Sequence, residues 1–272
     1  MAITTLDGAI AGMQPAISVF KTVTGTLVAG RPHSLFYVAG NPGAGVIPGA
    51  PVSIGVSGVA LTSVEGQIPF TNPTSGQNTY LARISAQISQ AGRVLLCDRL
   101  WHNSDLSVTT TTALDVYSVA FPARDANGTT NGEGVMIGME VSSAGGAGTP
   151  TLSMSYTNQS GVSGKTGTGI LKVVASSIQG AFYPIGLQTG DTGVRSIQTF
   201  THNATMTQGS ISLVAYRILA SLDTAGALIP ASIDLLTGGF PRLYDNTVPF
   251  FIFIPSTTTT SYFYADVTYT QG

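Results

Sequence analysis

Histidines, carboxylates, one cysteine and several short glycine motifs are the residues in this chain whose types and spacing suggest chemistry. Gly164-Lys165-Thr166 reads like the end of a phosphate-binding loop. The further glycine such a loop needs, five positions before Gly164, is replaced by Gln159. The segment also leads into a strand-like stretch, so no helix N-terminus is available to receive phosphate. Gly55-Val56-Ser57-Gly58 and Gly161-Val162-Ser163-Gly164 both miss the spacing of a nucleophile elbow. His33, His102 and His202 lie far apart with no acid at a fixed spacing, so any Ser-His-Asp set would have to be assembled by the fold.

The run from Asp125 through Asn127, Thr129 and Asn131 to Glu133 alternates oxygen-bearing side chains, as calcium loops do. Its sixth position is Thr130, where an EF-hand requires glycine. Asp and Asn-Gly in a loop are more commonly turn chemistry. Cys97 stands alone inside an apolar run, which excludes a disulfide framework and a thiolate metal cluster and fits a small packed hydrophobe. Trp101 and His102, with Tyr117 and Phe121, offer the makings of a sugar-stacking platform. A Trp directly after an apolar strand usually packs at the core edge instead. Together these patterns predict no catalytic residue, no cofactor and no metal.

The elements that would carry these residues centre on 93–143. This segment holds the only Trp, the only Cys and nine of the 24 charged residues. Asp98 adjoins Arg99 and Arg124 adjoins Asp125, with Glu133 and Glu140 following. An active site and the buried hub of a β-structure are both compatible with such a concentration, and the hub is the better fit. The predicted hub residues are Asp98, Arg99, Trp101, Arg124 and Asp125. Arg beside carboxylate at a strand end forms a bidentate pair that can close a sandwich edge or a subunit joint.

Composition narrows the class. Charged residues are 9% of the chain and hydrophobic ones 43%, against roughly 25% charged in an average soluble protein. So few charges, with 33 Gly and abundant Thr and Ser, suit a surface that neighbours cover. The net charge of −2 and the lack of a Lys/Arg cluster argue against nucleic acid. No apolar run reaches the length of a membrane-spanning helix, and the opening residues lack the basic region of a signal peptide.

Short apolar segments separated by Gly, Asn, Asp or Pro predict about a dozen strands: 17–28, 34–39, 80–88, 93–100, 107–112, 115–121, 135–142, 151–157, 169–175, 180–183, 194–200, 210–222, 249–255 and 261–270. Helical turns are expected only near 5–13 and 232–236. This pattern predicts an all-β protein, a β-sandwich of jelly-roll type with an extended Gly/Pro-rich N-terminal arm. The expected organisation is an interaction segment over 1–79 and a β-sandwich domain over 80–272. The stretch 40–51 reads either as a flexible linker or as an arm lying on a neighbouring subunit.

Four long stretches, LLCDRLWHNSDLSVTTTTA at 95–113, 121–158, GLQTGDTGVRSIQTF at 186–200 and GGFPRLYDNTVPFFIFIP at 238–255, carry a resemblance. With the opening MAITTLDGAIAGM, they resemble a group of tailed-bacteriophage virion proteins over most of the chain. The resemblance implies a structural role: a non-enzymatic particle component made in the host cytoplasm and located in the virion. Its implied partners are the major capsid protein or other virion proteins and copies of itself, with no nucleic acid and no membrane. A capsid decoration or cement protein is the leading expectation. A tail, head-fibre or adsorption-apparatus protein comes second, and a secreted carbohydrate-binding β-sandwich third.

Overall fold

The computed structural model describes residues 3–48, 56–103, 106–110 and 113–272. The chain opens with helix α1 (Leu6–Ala11), then strands β1 (Ile17–Val23), β2 (His33–Ser34), β3 (Gly40–Asn41) and β4 (Val59–Ala60). Next come β5 (Thr79–Ile88), β6 (Gly92–His102), β7 (Leu106–Ser107), β8 (Leu114–Asp115), β9 (Met136–Ser143) and β10 (Leu152–Asn158). The last third contains β11 (Lys165–Gly169), β12 (Phe182–Gly186), β13 (Val194–His202), β14 (Ser210–Thr224) and β15 (Ala231–Asp234). Helix α2 (Leu235–Gly238) and strands β16 (Arg242–Leu243), β17 (Pro249–Pro255) and β18 (Ser261–Gln271) complete it.

Two curled antiparallel sheets form a β-sandwich. The first runs β15-β5-β18-β1-β3, with β16 beside β5. The second runs β2-β17-β6-β14-β9-β12-β11-β10-β13-β8, with β4 on β6 and β7 on β14. One core lies between the first sheet and the β17-β6-β14 part of the second. It is built from residues such as Ile84, Leu96, Leu222, Phe253 and Phe263. The second sheet also curls on itself. Trp101, Met139, Tyr156, Ile197, Phe200 and Leu213 from five of its strands meet in a separate core. A third cluster, with Phe36, Cys97, Phe182, Tyr216 and Phe250, covers the remaining face of β6 and β17.

This arrangement explains the continuous apolar runs. In β17, Phe251 and Phe253 enter one core while Phe250 and Ile252 enter another, so both faces are dry and no alternation survives. β6 and β14 are long enough to serve all three cores. Their pairing slips twice, where Arg99 and Trp101 oppose the adjacent Tyr216 and Ala215, and where Cys97 and Leu96 oppose Ile218 and Ala220. Leu100 and Leu219 are the extra residues, and bulges of this kind re-aim the side chains that follow.

Several expected strands are shorter than sequence pattern suggested. The 17–28 strand ends at Val23 and the 34–39 strand shrinks to His33–Ser34. The 115–121 strand is only Leu114–Asp115, because Tyr117 turns the chain at φ 38°. The expected 169–175 strand is instead Lys165–Gly169, followed by irregular chain. Thr111 and Thr112 of the 107–112 strand fall outside the described residues. The helical turn expected at 232–236 begins later, since β15 pairs with β5 and Asp234 then caps α2 through the Leu236 and Thr237 amides.

The N-terminal residues take part in this architecture. β1 pairs with β18 over seven residue pairs, and Val19 and Val23 enter the core beneath the first sheet. Beyond β1 the chain is irregular, with turns at 29–30 and 36–37, and Leu35, Phe36 and Tyr37 are buried. The Lys21 ammonium donates to the carbonyls of Val38, Pro42 and Gly43 at 2.9, 2.6 and 3.1 Å, which ties the Pro/Gly stretch down. Residues 49–51 at its end lie outside the described residues. Removing residues 1–23 leaves β18 with an unpaired side and withdraws two buried valines, worth about 1.5–3 kcal/mol each. The truncated chain should unfold at clearly lower urea concentration than the full chain, as followed by circular dichroism. An unchanged midpoint would show that β1 contributes nothing to the sheet.

Candidate functional site

Strand β6 carries Asp98 and Arg99 across the junction of the three cores, and both are fully buried. The Asp98 carboxylate accepts from Arg124 Nε and Nη2 at 2.9 and 3.1 Å, a bidentate pair. It also accepts from the Val248 amide at 2.9 Å. Arg124 spends its remaining donors on the carbonyls of Leu61 at 2.7 Å and Arg99 at 3.1 Å. One ion pair thus joins β6 to the loop before β9, the approach to β17 and the segment after β4.

Arg99 points to the opposite face of the sheet. Its Nη2 donates to Glu140 Oε2 at 2.6 Å, and its Nε donates to His102 Nδ1 at 3.2 Å. The guanidinium carbon lies 4.3 Å from the centroid of the Phe36 ring and 5.5 Å from that of Phe250. Burial works against the Arg99 charge, but the adjacent Glu140 outweighs it and the net shift is upward. Tyr37, from the N-terminal segment, closes over this pair. Burial, reinforced by the Glu140 charge, raises its phenol well above the usual value.

Arg124 and Asp125 do not pair with each other. Asp125 turns back into its own loop and accepts from five donors. These are the amides of Asn127, Thr129, Gly132 and Glu133 and the Thr129 hydroxyl, at 2.7 to 3.2 Å. Burial alone would raise this carboxyl, but the Thr129 hydroxyl and the loop amides hold it below the usual range. The N–H groups of this loop converge on its own carboxylate, so Asp125 is the internal acceptor that holds the turn together. Gly132 permits the turn, with φ 86° and the Val194 carbonyl where a Cβ would stand.

Trp101 is fully buried, 5.7 Å from the Phe121 ring, and its Nε1 donates to the Ser57 carbonyl at 2.9 Å. It therefore supplies no exposed stacking surface. Of the remaining rings of that platform, Phe121 and His102 are buried and Tyr117 is exposed. His33, His102 and His202 have separate surroundings. His102 meets Arg99, His202 Nδ1 lies 2.9 Å from the Ala204 carbonyl, and His33 pairs with Ala181. Asp105 lies outside the described residues. Gly164 and Lys165 enter β11 directly, and the Lys165 ammonium sits 3.8 Å from Asp191. Among the described residues no group of three or more His, Cys, Asp and Glu is placed to hold a metal.

Sequence reasoning missed two polar clusters. Asp191 accepts from Tyr156 Oη at 2.6 Å and Asn158 Nδ2 at 2.7 Å, tying the turn before β13 to β10. Arg217 is buried with Nη2 on the Arg242 carbonyl at 3.2 Å, and Tyr244 stands between the two guanidinium groups. Neither cluster has a local spacing signal, because Asp191 and Arg217 each reach partners 25 or more residues away.

No protein-family model matches the chain, and no curated protein matches it. Among solved structures, the infectious bursal disease virus VP2 subviral particle is similar at 8% identity and a TM-score of 0.21, over 99% of this chain and 83% of that one. The infectious bursal disease virus Gt strain structure is similar at 10% identity and a TM-score of 0.16, over 94% and 80%. Scores this low leave the function to be argued from the chain's own residues.

Two outcomes follow from the geometry. Arg124→Ala strands the Asp98 carboxylate in the core, which costs roughly 3–5 kcal/mol. Lys165→Ala removes a long 3.8 Å pair at the protein edge, worth about 1 kcal/mol or less. Thermal melts of the two variants side by side should separate them, and equal small shifts would reduce Arg124 to a solvated turn residue. The second outcome concerns acid. Burial lowers His33 to about 4, and burial with the neighbouring Arg99 charge lowers His102 to about 2. The unfolded chain binds these protons near pH 6.5 and the folded chain does not, so stability falls as pH drops below 6.5. By pH 4 the loss is on the order of 3 kcal/mol for each histidine. Urea titrations between pH 7 and 5, above the carboxylate range, should show this slope, and His33→Gln should flatten it by about half. A flat profile in the parent protein would contradict the buried neutral state.

Proposed function

We propose that this protein is a non-enzymatic structural component of a tailed-phage virion, with capsid decoration or cement as the leading role. The observation that carries the reading is an apolar patch at one end of the first sheet. Leu6, Ile10 and Met13 around α1 and Leu236 on α2 are 48–75% exposed and, with Ala9 and Leu235, line one shallow depression of about 160 Å³. Exposed apolar residues clustered this way mark protein–protein contacts. The rest of the surface supports the same reading. Among the described residues seven charged side chains, Lys21, Asp98, Arg99, Arg124, Asp125, Glu140 and Arg217, are buried, so the surface carries even less charge than composition suggests.

In this reading the patch meets the major capsid protein or another copy of the chain. An obligate contact of this class buries roughly 2,000 Å² or more. The sequence stretches that resemble tailed-phage virion proteins support the particle context, and the Pro/Gly segment held by Lys21 provides a second extended surface. Cement acts by adding interface free energy at lattice junctions and requires no reaction. A tail, head-fibre or adsorption part is the alternative, distinguished by copy number: hundreds per particle for cement, tens or fewer for a tail component.

Ile10→Glu and Leu236→Glu place charge on the patch without touching the core. Each variant should melt like the parent protein yet bind to particles lacking the protein at least tenfold more weakly, measured by co-sedimentation. Parent-like occupancy for both would remove the patch from the contact and with it the main support for this role.

A further inference from the structure

The solvent face of the first sheet is patterned in rows. Across β3, β1, β18 and β5, Asn41, Phe20, Tyr264 and Gln87 stand in register. The next row along the strands is Ser18, Asp266 and Ser85, continued by Ser232 on β15. On the other side of the aromatic row, Thr22 opposes Tyr262. Phe20 and Tyr264 are 37% and 45% exposed, and their rings lie 4.8 Å apart at 32°, an offset stacked pair with its outer faces and edges toward solvent. These rings and the Ser18–Asp266 row line a shallow groove of about 290 Å³. At the usual strand spacing the row from β3 to β5 is roughly 14 Å long.

The hydrogen-bonding character of the groove is mixed. Asn41 donates one amide N–H to the Ser18 carbonyl at 3.2 Å, and Gln87 donates one to the Leu228 carbonyl at 3.0 Å. Ser18 donates its hydroxyl to Asp266 Oδ1 at 2.6 Å. Among the described residues, Asn41 Oδ1, Gln87 Oε1 and Asp266 Oδ2 accept nothing within the protein. Each carboxamide keeps a second N–H, and the Ser85 and Tyr264 hydroxyls line the same groove, so the rim offers both acceptors and donors. A fitting ligand combines an apolar face for the rings with many hydroxyls, which accept as well as donate, and it carries no negative charge. Anions are disfavoured because the groove is lined by Asp266 and by no Lys or Arg. A second copy of the same face would bring in another uncompensated Asp266 carboxylate.

We infer that this groove binds a neutral oligosaccharide, with pyranose rings stacked on Phe20 and Tyr264 and their hydroxyls donating to Asp266, Gln87 and Asn41. Trp101 plays no part in it. The inference does not rest on the virion role, which stands on the separate patch around α1.

Calorimetric titration of the full chain with maltohexaose, cellohexaose and mannohexaose, and with hexagalacturonate as an anionic control, tests it. At least one neutral hexaose should bind saturably, and Phe20→Ala and Tyr264→Ala should each weaken it tenfold or more. Gln87→Ala, which leaves the aromatic pair intact, should weaken the same binding several-fold at an unchanged melting temperature. No saturable binding to any neutral hexaose would overturn the proposal, as would preference for the anionic control or parent-like affinity in the Tyr264 variant. A dimer of the parent protein that Tyr264→Ala dissociates in sedimentation would overturn it too, by assigning the face to self-association.

Discussion

The Asp98–Arg124 pair is the constraint around which the rest of the structure is arranged. Two opposite charges leave water entirely, and such a pair repays its desolvation only when geometry is good and the remaining donors and acceptors are filled. Here the carboxylate takes two guanidinium bonds and a backbone amide, while the guanidinium adds two backbone carbonyls. Every one of those backbone groups belongs to a different stretch of chain. The pair therefore specifies which segments meet at β6, a role an apolar contact of equal volume performs less selectively. On the other face Arg99 is matched by Glu140 through one hydrogen bond and flanked by aromatic rings, while Arg99 Nη1 and Glu140 Oε1 are left without protein partners among the described residues.

Interior and surface are complementary in consequence. The second sheet is covered on both sides along β6 and β17, so its apolar strands contribute little to the outside. Charge, normally a surface property, is partly withdrawn to the joints between cores. Two features of the face toward solvent are an apolar patch at α1 and α2 and an aromatic row on the first sheet. A smooth, weakly charged exterior resists non-specific electrostatic capture and leaves recognition to shape and to a few rings.

Much of this was legible in the sequence. Strand-like runs bounded by turn residues located β5, β6, β9, β10, β13, β14, β17 and β18, because burial of apolar residues decides those segments locally. The 249–255 strand is reproduced residue for residue. The charges near Asp98 and Arg124 stood out because the chain has so few. The pairing of those charges was only half legible: Arg124 passes over its neighbour Asp125 and reaches back 26 residues to Asp98. Sequence adjacency misleads there because Asp125 is consumed by its own loop amides. The aromatic row was invisible for a different reason. Phe20 and Tyr264 are 244 residues apart and meet only through the β1–β18 register. Short edge strands such as β3, β4 and β8 are set by tertiary pairing alone and leave no periodic trace.

The amide-lined cage around Asp125 also bears on how the protein ages. Its loop contains two Asn-Gly steps, Asn127-Gly128 and Asn131-Gly132, the dipeptide most prone to spontaneous deamidation. That reaction needs the glycine nitrogen free to attack the asparagine side chain and close a succinimide ring. Gly128 N is held by the Asp125 carbonyl at 3.1 Å, and Gly132 N by the Asp125 carboxylate at 3.0 Å. One aspartate thereby restrains both nucleophiles, and the loop that looks chemically most fragile is protected against the slow damage its sequence invites.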